Sequence, residues 1–151
     1  MLKIKELRQL EPHIIAVGSY PTIIQSILDF DYLSGRKAPS IHAILVTTSN
    51  RKFERYFWGT NEIIIPRYTS ITDIPQSVRE HMNIFVNFNS GRRAMSSTVA
   101  VLDACPNIRV GSILAENMPE VHAFTIYDRT KNKDIIIAGP AGVGMVIPGV
   151  S

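Results

Sequence analysis

The sequence predicts an α/β fold: a Rossmann-like, mostly parallel open sheet with flanking helices and an added β-hairpin. Two observations point there. First, short apolar runs recur, and each ends in small or polar residues. His13-Ile14-Ile15-Ala16-Val17 leads into Gly18-Ser19-Tyr20-Pro21, and Ile84-Phe85-Val86-Asn87-Phe88 into Asn89-Ser90-Gly91-Arg92-Arg93. Ile113-Leu114-Ala115-Glu116 leads into Asn117-Met118-Pro119, and Ile135-Ile136-Ile137-Ala138 into Gly139-Pro140-Ala141-Gly142-Val143-Gly144. Second, helical patterns separate these runs. Strands alternating with helices form parallel sheets with right-handed crossovers, and such sheets bind ligands beyond the carboxyl ends of their strands.

The elements follow in order. Residues 1–12 are a charged lead-in, a short strand or helix. After the first strand, Pro21 suits the first turn of a helix. Ile23, Ile24, Ile27 and Leu28 form its apolar stripe, and it fades near Tyr32, before the loop Ser34-Gly35-Arg36-Lys37-Ala38-Pro39-Ser40. Ile41 to Thr47 reads as the second strand. Phe53, Arg55, Tyr56, Phe57 and Trp58, broken by Gly59-Thr60-Asn61 and resumed at Ile63-Ile64-Ile65-Pro66, read as a hairpin whose aromatics pack into the core. A base-stacking platform is the weaker reading, because no basic residues interleave over a long sheet. Asp73 to His81 is a short helix with Pro75 in its first turn. Asn83 to Phe88 is a strand, Arg92 to Ala104 a helix, Arg109 to Ala115 a strand, Pro119 to about Thr130 a helix, and 135–138 the last strand.

Size and composition narrow the function. A chain of 151 residues with 45% hydrophobic and 19% charged residues fits one globular domain over 1–151. No apolar run approaches the roughly 20 residues that span a bilayer, so no membrane partner is expected. The first residues lack the apolar centre of a signal peptide, and the single Cys105 allows no internal disulfide; both fit a cytoplasmic protein. Cys105 reads as a half-buried residue at a helix end. A net charge of +3, from 16 basic and 13 acidic residues, suits a phosphorylated small ligand and does not call for nucleic acid. His13, His42, His81 and His122 are scattered without metal-ligand spacing, so no metal site is expected.

Four strand-end segments carry candidate chemistry. In Gly18-Ser19-Tyr20-Pro21, a glycine lets the backbone approach a ligand and the helix start offers free N–H groups to an anion; a plain tight turn is the alternative. In Asn89-Ser90-Gly91-Arg92-Arg93, Ser90 is a natural N-cap and Gly91 permits close approach. Arg92 and Arg93 oppose the helix dipole by a few tenths of a kcal/mol, which a bound polyanion would explain; exposed arginines tolerating a small cost are the alternative. Arg51-Lys52 reads as solvated surface. Glu116 lies just past a strand, either a functional carboxylate or a solvated one. The glycine-rich 139–144 segment lacks the Lys-Ser or Lys-Thr of a Walker loop.

Together these pieces resemble a family. Thr22 to Tyr32, with Leu28-Asp29-Phe30-Asp31-Tyr32, is similar to the helix after the first strand in the CoA-binding domain of ATP-citrate lyase. So are Tyr56-Phe57-Trp58-Gly59, Glu62 to Pro66, Val86 to Arg92, Ala115 to Glu120 and Gly139 to Gly144, in the same order from about residue 13 to 149. The strand-end loops are shared more widely, with succinyl-CoA synthetase α-subunits. The resemblance implies a coenzyme A-binding domain of an ATP-citrate lyase or citryl-CoA synthetase. Carried over, Gly18 and Ser19 face the nucleotide, Ser90 and Arg92 hold phosphates, and Gly91, Arg93, Thr48 and Ala115 complete the cofactor contacts. Glu116 takes the position of the family's glutamate that supports a phosphorylated histidine. Thr48 stands where the animal enzyme has an aromatic residue near the adenine. Asn117 replaces a glycine, and Ile147-Pro148-Gly149 lacks a preceding lysine. These departures bear on catalysis more than on CoA binding.

The resemblance also implies what is missing. ATP and magnesium would act through other domains, and no histidine here has the family's Gly-His-Ala-Gly setting. The chain alone is therefore expected not to make or cleave citryl-CoA. Expected partners are CoA, the remaining ATP-citrate lyase domains or subunits, and other copies of the chain. Two other readings stay open: a stand-alone CoA-binding or oligomerisation module without chemistry, and an NAD-type redox domain. The absent G-x-G-x-x-G pattern and the absent acid after the second strand oppose the latter.

Overall fold

The computed structural model describes residues 4–139 of the chain. The lead-in forms a short helix, α1 (Ile4–Arg8), followed by β1 (Ile14–Val17), α2 (Pro21–Leu33), β2 (Ile41–Leu45), β3 (Phe53–Trp58) and β4 (Asn61–Tyr68). A single 3-10 turn (Ile71–Asp73) precedes α3 (Gln76–His81), β5 (Ile84–Asn87), α4 (Gly91–Ala104), β6 (Val110–Ile113), α5 (Glu120–Thr130) and β7 (Ile136–Ala138). The predicted helix over 73–81 is thus split, because Pro75 takes the N-cap position of α3 instead of its first turn.

The strands form one seven-stranded sheet in the order β3-β4-β2-β1-β5-β6-β7. Only the hairpin pair, β3 with β4, is antiparallel; Phe53 faces Pro66 and Trp58 faces Asn61. From β1 the chain moves one way to β2 and the hairpin, then returns to lay β5, β6 and β7 on the other side. The order reverses between β1 and β5, and in open α/β sheets the ligand crevice forms at such a reversal, beyond the carboxyl ends of the strands.

All four residues of β1 are buried, as expected of a strand covered on both faces. The pleat divides them. Ile14 and Ala16 pack with Ile24 and Leu28 of α2 and with Tyr56 and Ile65 of the hairpin. Ile15 and Val17 pack on the opposite face with Phe85, with Ala94, Val101 and Leu102 of α4, and with Ile126 of α5. The hairpin corrects the expectation of a uniformly buried aromatic segment. Tyr56 is buried, whereas Phe53 is 42% and Phe57 54% exposed. With a period of two, one face of this pair meets α2 and the other meets solvent.

Candidate functional site at the carboxyl ends of β1 and β5

The first wall of the crevice is the turn after β1. Gly18 has a φ of +85°, which a side chain would strain, and its N–H donates to the Leu45 carbonyl at 2.7 Å. A Cβ there would meet Asn89 Oδ1 at 2.8 Å, so this turn lies against the loop after β5. Pro21 opens α2, as the sequence predicts, and the α2 N-terminus carries neither a side-chain cap bond nor an acid in its first turn. Free helix-start N–H groups and a partial positive charge are therefore available there.

Ser19 has a partner within the chain. Its hydroxyl turns inward and donates to Glu54 Oε1 at 2.8 Å, while Tyr56 donates to the same oxygen at 2.5 Å. The Arg67 guanidinium lies 3.5 Å from the other oxygen of Glu54. Burial and the adjacent Glu54 carboxylate push the Tyr56 phenol well above its usual range, so it stays protonated as a donor. The sequence reading missed Glu54 and Arg67. The available signal was Glu54 at the same period-two positions as Tyr56 and Trp58, the inward face of β3.

The second wall is the loop between β5 and α4, braced by buried Asn87. Its side-chain NH2 donates to Ser97 Oγ and Thr98 Oγ1, both at 2.9 Å, and its Oδ1 accepts the Asn89 N–H at 3.0 Å. Ser90 holds the N-cap position of α4 but makes no side-chain cap bond, so the helix start is open. Gly91 permits a close approach within the chain: a Cβ would lie 2.3 Å from the Asn117 carbonyl oxygen. Gly91 thus joins the β5–α4 loop to the β6–α5 loop. Arg92 and Arg93 are exposed, with no ion pair among the described residues, and α4 has no acid in its first turn.

Ala115 is buried past the end of β6, and Glu116 and Thr48 are exposed. Gly18, Ser19 and the loop carrying Ser90, Gly91, Arg92 and Arg93 therefore meet at the sheet reversal, with the Ala115–Asn117 segment packed beside Gly91. Residues 140–149, including most of the glycine-rich segment and the Ile147-Pro148-Gly149 departure, lie outside the described residues.

Two further expectations are corrected. Cys105, at the C-cap of α4, is fully rather than half buried. The histidines do not all stay apart. His13 Nδ1 and His42 Nε2 are 2.8 Å apart, and the His81 ring stands edge-on to His13 at 6.1 Å between centroids. Linear spacing hid this group, because β1, β2 and α3 converge only in the folded sheet. It lies at the amino ends of the strands, opposite the crevice. Among the described residues, no group of His, Cys, Asp and Glu is arranged to hold a metal ion.

No protein-family model matches the chain. It is 37% identical over 144 residues to the Schizosaccharomyces pombe protein named "Probable ATP-citrate synthase subunit 1", covering 95% of this chain and 23% of that protein. It is 32% identical over 137 residues to ATP-citrate synthase of Homo sapiens, covering 89% of this chain and 12% of that protein. The chain therefore spans about a quarter or less of the length of these curated relatives. The solved structure of ATP citrate lyase from Methanothrix soehngenii, in complex with citrate and coenzyme A, superposes with a TM-score of 0.81 at 34% identity, over 89% of this chain and 21% of that one. Sequence and fold agree along nearly the whole chain: it belongs to the ATP-citrate synthase (lyase) family, as the counterpart of one segment of those longer proteins.

Proposed function

We propose that this chain is the coenzyme A-binding domain of an ATP-citrate lyase-type enzyme, with CoA held in the crevice between β1 and β5. One observation carries the reading. Two uncapped helix starts, α2 and α4, meet at the sheet reversal, and Arg92, without an ion pair among the described residues, stands in the first turn of α4. CoA carries a diphosphate and a 3′-phosphate. Backbone N–H groups at helix starts and a forked guanidinium are suitable donors for such oxygens. The related lyase crystallised with coenzyme A supports the choice of this nucleotide.

In the whole enzyme, ATP, magnesium, the phosphorylated histidine and the cleavage chemistry would belong to other domains. This chain would position CoA, and Glu116 beside the start of α5 would support the phosphohistidine. The other domains would cover two apolar patches, Phe57 and Ile64 on the hairpin and Val121 and Phe124 on α5, all more than half exposed. The same patches favour a second reading, self-association of the chain when those domains are absent. No described helix is long and apolar enough to cross a membrane, and we place the protein in the cytoplasm.

Isothermal titration with CoA tests the assignment. The chain should bind CoA in preference to NADH, with affinity falling as salt rises. Arg92→Ala should weaken binding about 10-fold or more, the size of a charge-assisted hydrogen bond. Equal affinity in wild type and Arg92→Ala would remove Arg92 from the site, and no heat with CoA would remove the assignment itself.

A further inference from the structure

We infer that Glu54 is a positioning residue for the nucleotide site, acting through Ser19 and fixing that hydroxyl as an acceptor toward the ligand. This rests on the coenzyme A reading above.

The argument begins with proton count. A serine hydroxyl has one hydrogen to donate and two lone pairs with which to accept. Ser19 spends its hydrogen on Glu54 Oε1. That oxygen also takes the Tyr56 hydrogen, and an ionised carboxylate has none to give back. What Ser19 keeps for a ligand is lone pairs. It therefore accepts from a ligand N–H or O–H, such as an adenine amino group or a ribose hydroxyl, and repels a phosphate oxygen. Phosphates are left to the helix starts and Arg92, and the two walls of the crevice divide the nucleotide between them.

Glu54 is placed to impose this polarity. It is only 6% exposed, and it reaches from the hairpin to the turn after β1, 35 residues away in sequence. Its second oxygen and Arg67 Nε are both buried without a hydrogen-bond partner among the described residues, and the Arg67 guanidinium faces that oxygen. A buried carboxylate held by one cation and two hydroxyls is costly to rearrange. The hairpin carrying it is fixed to α2 from the other side: Gln25 donates to the Phe57 carbonyl at 2.9 Å and accepts the Phe57 N–H at 3.0 Å. The hairpin thus extends the sheet and also sets one hydroxyl of the cofactor crevice.

A double-mutant cycle read by CoA calorimetry tests the inference, with a melting curve for each variant. Ser19→Ala should weaken CoA about three- to tenfold, one hydrogen bond's worth. Ser19→Thr, which keeps the hydroxyl, should restore most of that loss. Glu54→Gln should weaken binding to a similar degree, because its amide can donate to Ser19 and reverse the hydroxyl. In the Ser19→Ala background, Glu54→Gln should add less than about a further twofold. Losses that multiply independently would overturn the inference, since Glu54 would then act through general structure. Unchanged affinity in Ser19→Ala would overturn it whether or not the Glu54 variant folds. Failure of the wild-type chain to bind CoA would defeat the functional assignment and this inference together, an outcome distinct from the other two.

Discussion

Replacing Gly91 by alanine sets two effects of opposite sign against each other. Gly91 opens α4, and alanine is the better helix former by up to about 1 kcal/mol, less in a first turn than in a helix interior. Against this, the new methyl would lie 2.3 Å from the Asn117 carbonyl oxygen, 2.5 Å from its carbon and 2.9 Å from the Met118 nitrogen. All three are backbone atoms, so no side chain can swing away. Ordinary contact begins near 3.4 Å, and the β6–α5 loop would have to retreat by about 1 Å. Overpacking of this kind costs about 1–3 kcal/mol. The clash wins, and Gly91→Ala should destabilise the chain by about 1–2 kcal/mol, lowering the melting temperature by roughly 2–8 °C for a domain of this size. CoA affinity should fall as well, because the displaced segments carry Arg92 on one side and Ala115 on the other. Urea unfolding and CoA titration of the purified variant measure both. A melting temperature equal to or above wild type would refute the packing argument.

Two more outcomes follow from groups away from the crevice. Burial lowers the pKa of His13 and His42 below 6.5; mutual repulsion adds to the shift at His42, Arg36 and His81 lower both, and Glu11 opposes. A lowered folded pKa means that the unfolded chain binds more protons, so stability is full above about pH 6.5 and falls as the medium is acidified below it. His42→Asn should flatten that acid limb in urea titrations across pH 5–8, and an unchanged slope would exclude the pair as its origin. Cys105 is 1% exposed, and burial raises its thiol to about 11. Iodoacetamide at pH 8 should label it only as fast as the chain unfolds; rapid labelling of the native protein would contradict its placement.

The sequence alone determined the class of the sheet and pointed to the carboxyl ends of its strands as the side where a ligand would lie. Apolar runs such as Ile14–Val17, and the small residues closing them, follow from local periodicity and turn chemistry, which a linear chain displays. Pro21 at the start of α2 and Arg92 early in α4 were legible for the same reason. The motif Leu28-Asp29-Phe30-Asp31-Tyr32 marked the family, but its physical roles emerged only on folding. Asp31 is buried and receives the Ser40 N–H at 2.9 Å and its hydroxyl at 2.5 Å, while Tyr32 meets Trp58 edge to face at 5.5 Å.

Tertiary structure decided what distant residues do together. It turned Ser19 toward Glu54, set Gly91 against the backbone of Asn117, and gathered His13, His42 and His81. Each of these depends on which strands become neighbours. That order is set by the return of the chain from the hairpin to β5, a choice made by burial on both faces of the sheet and not by any local pattern.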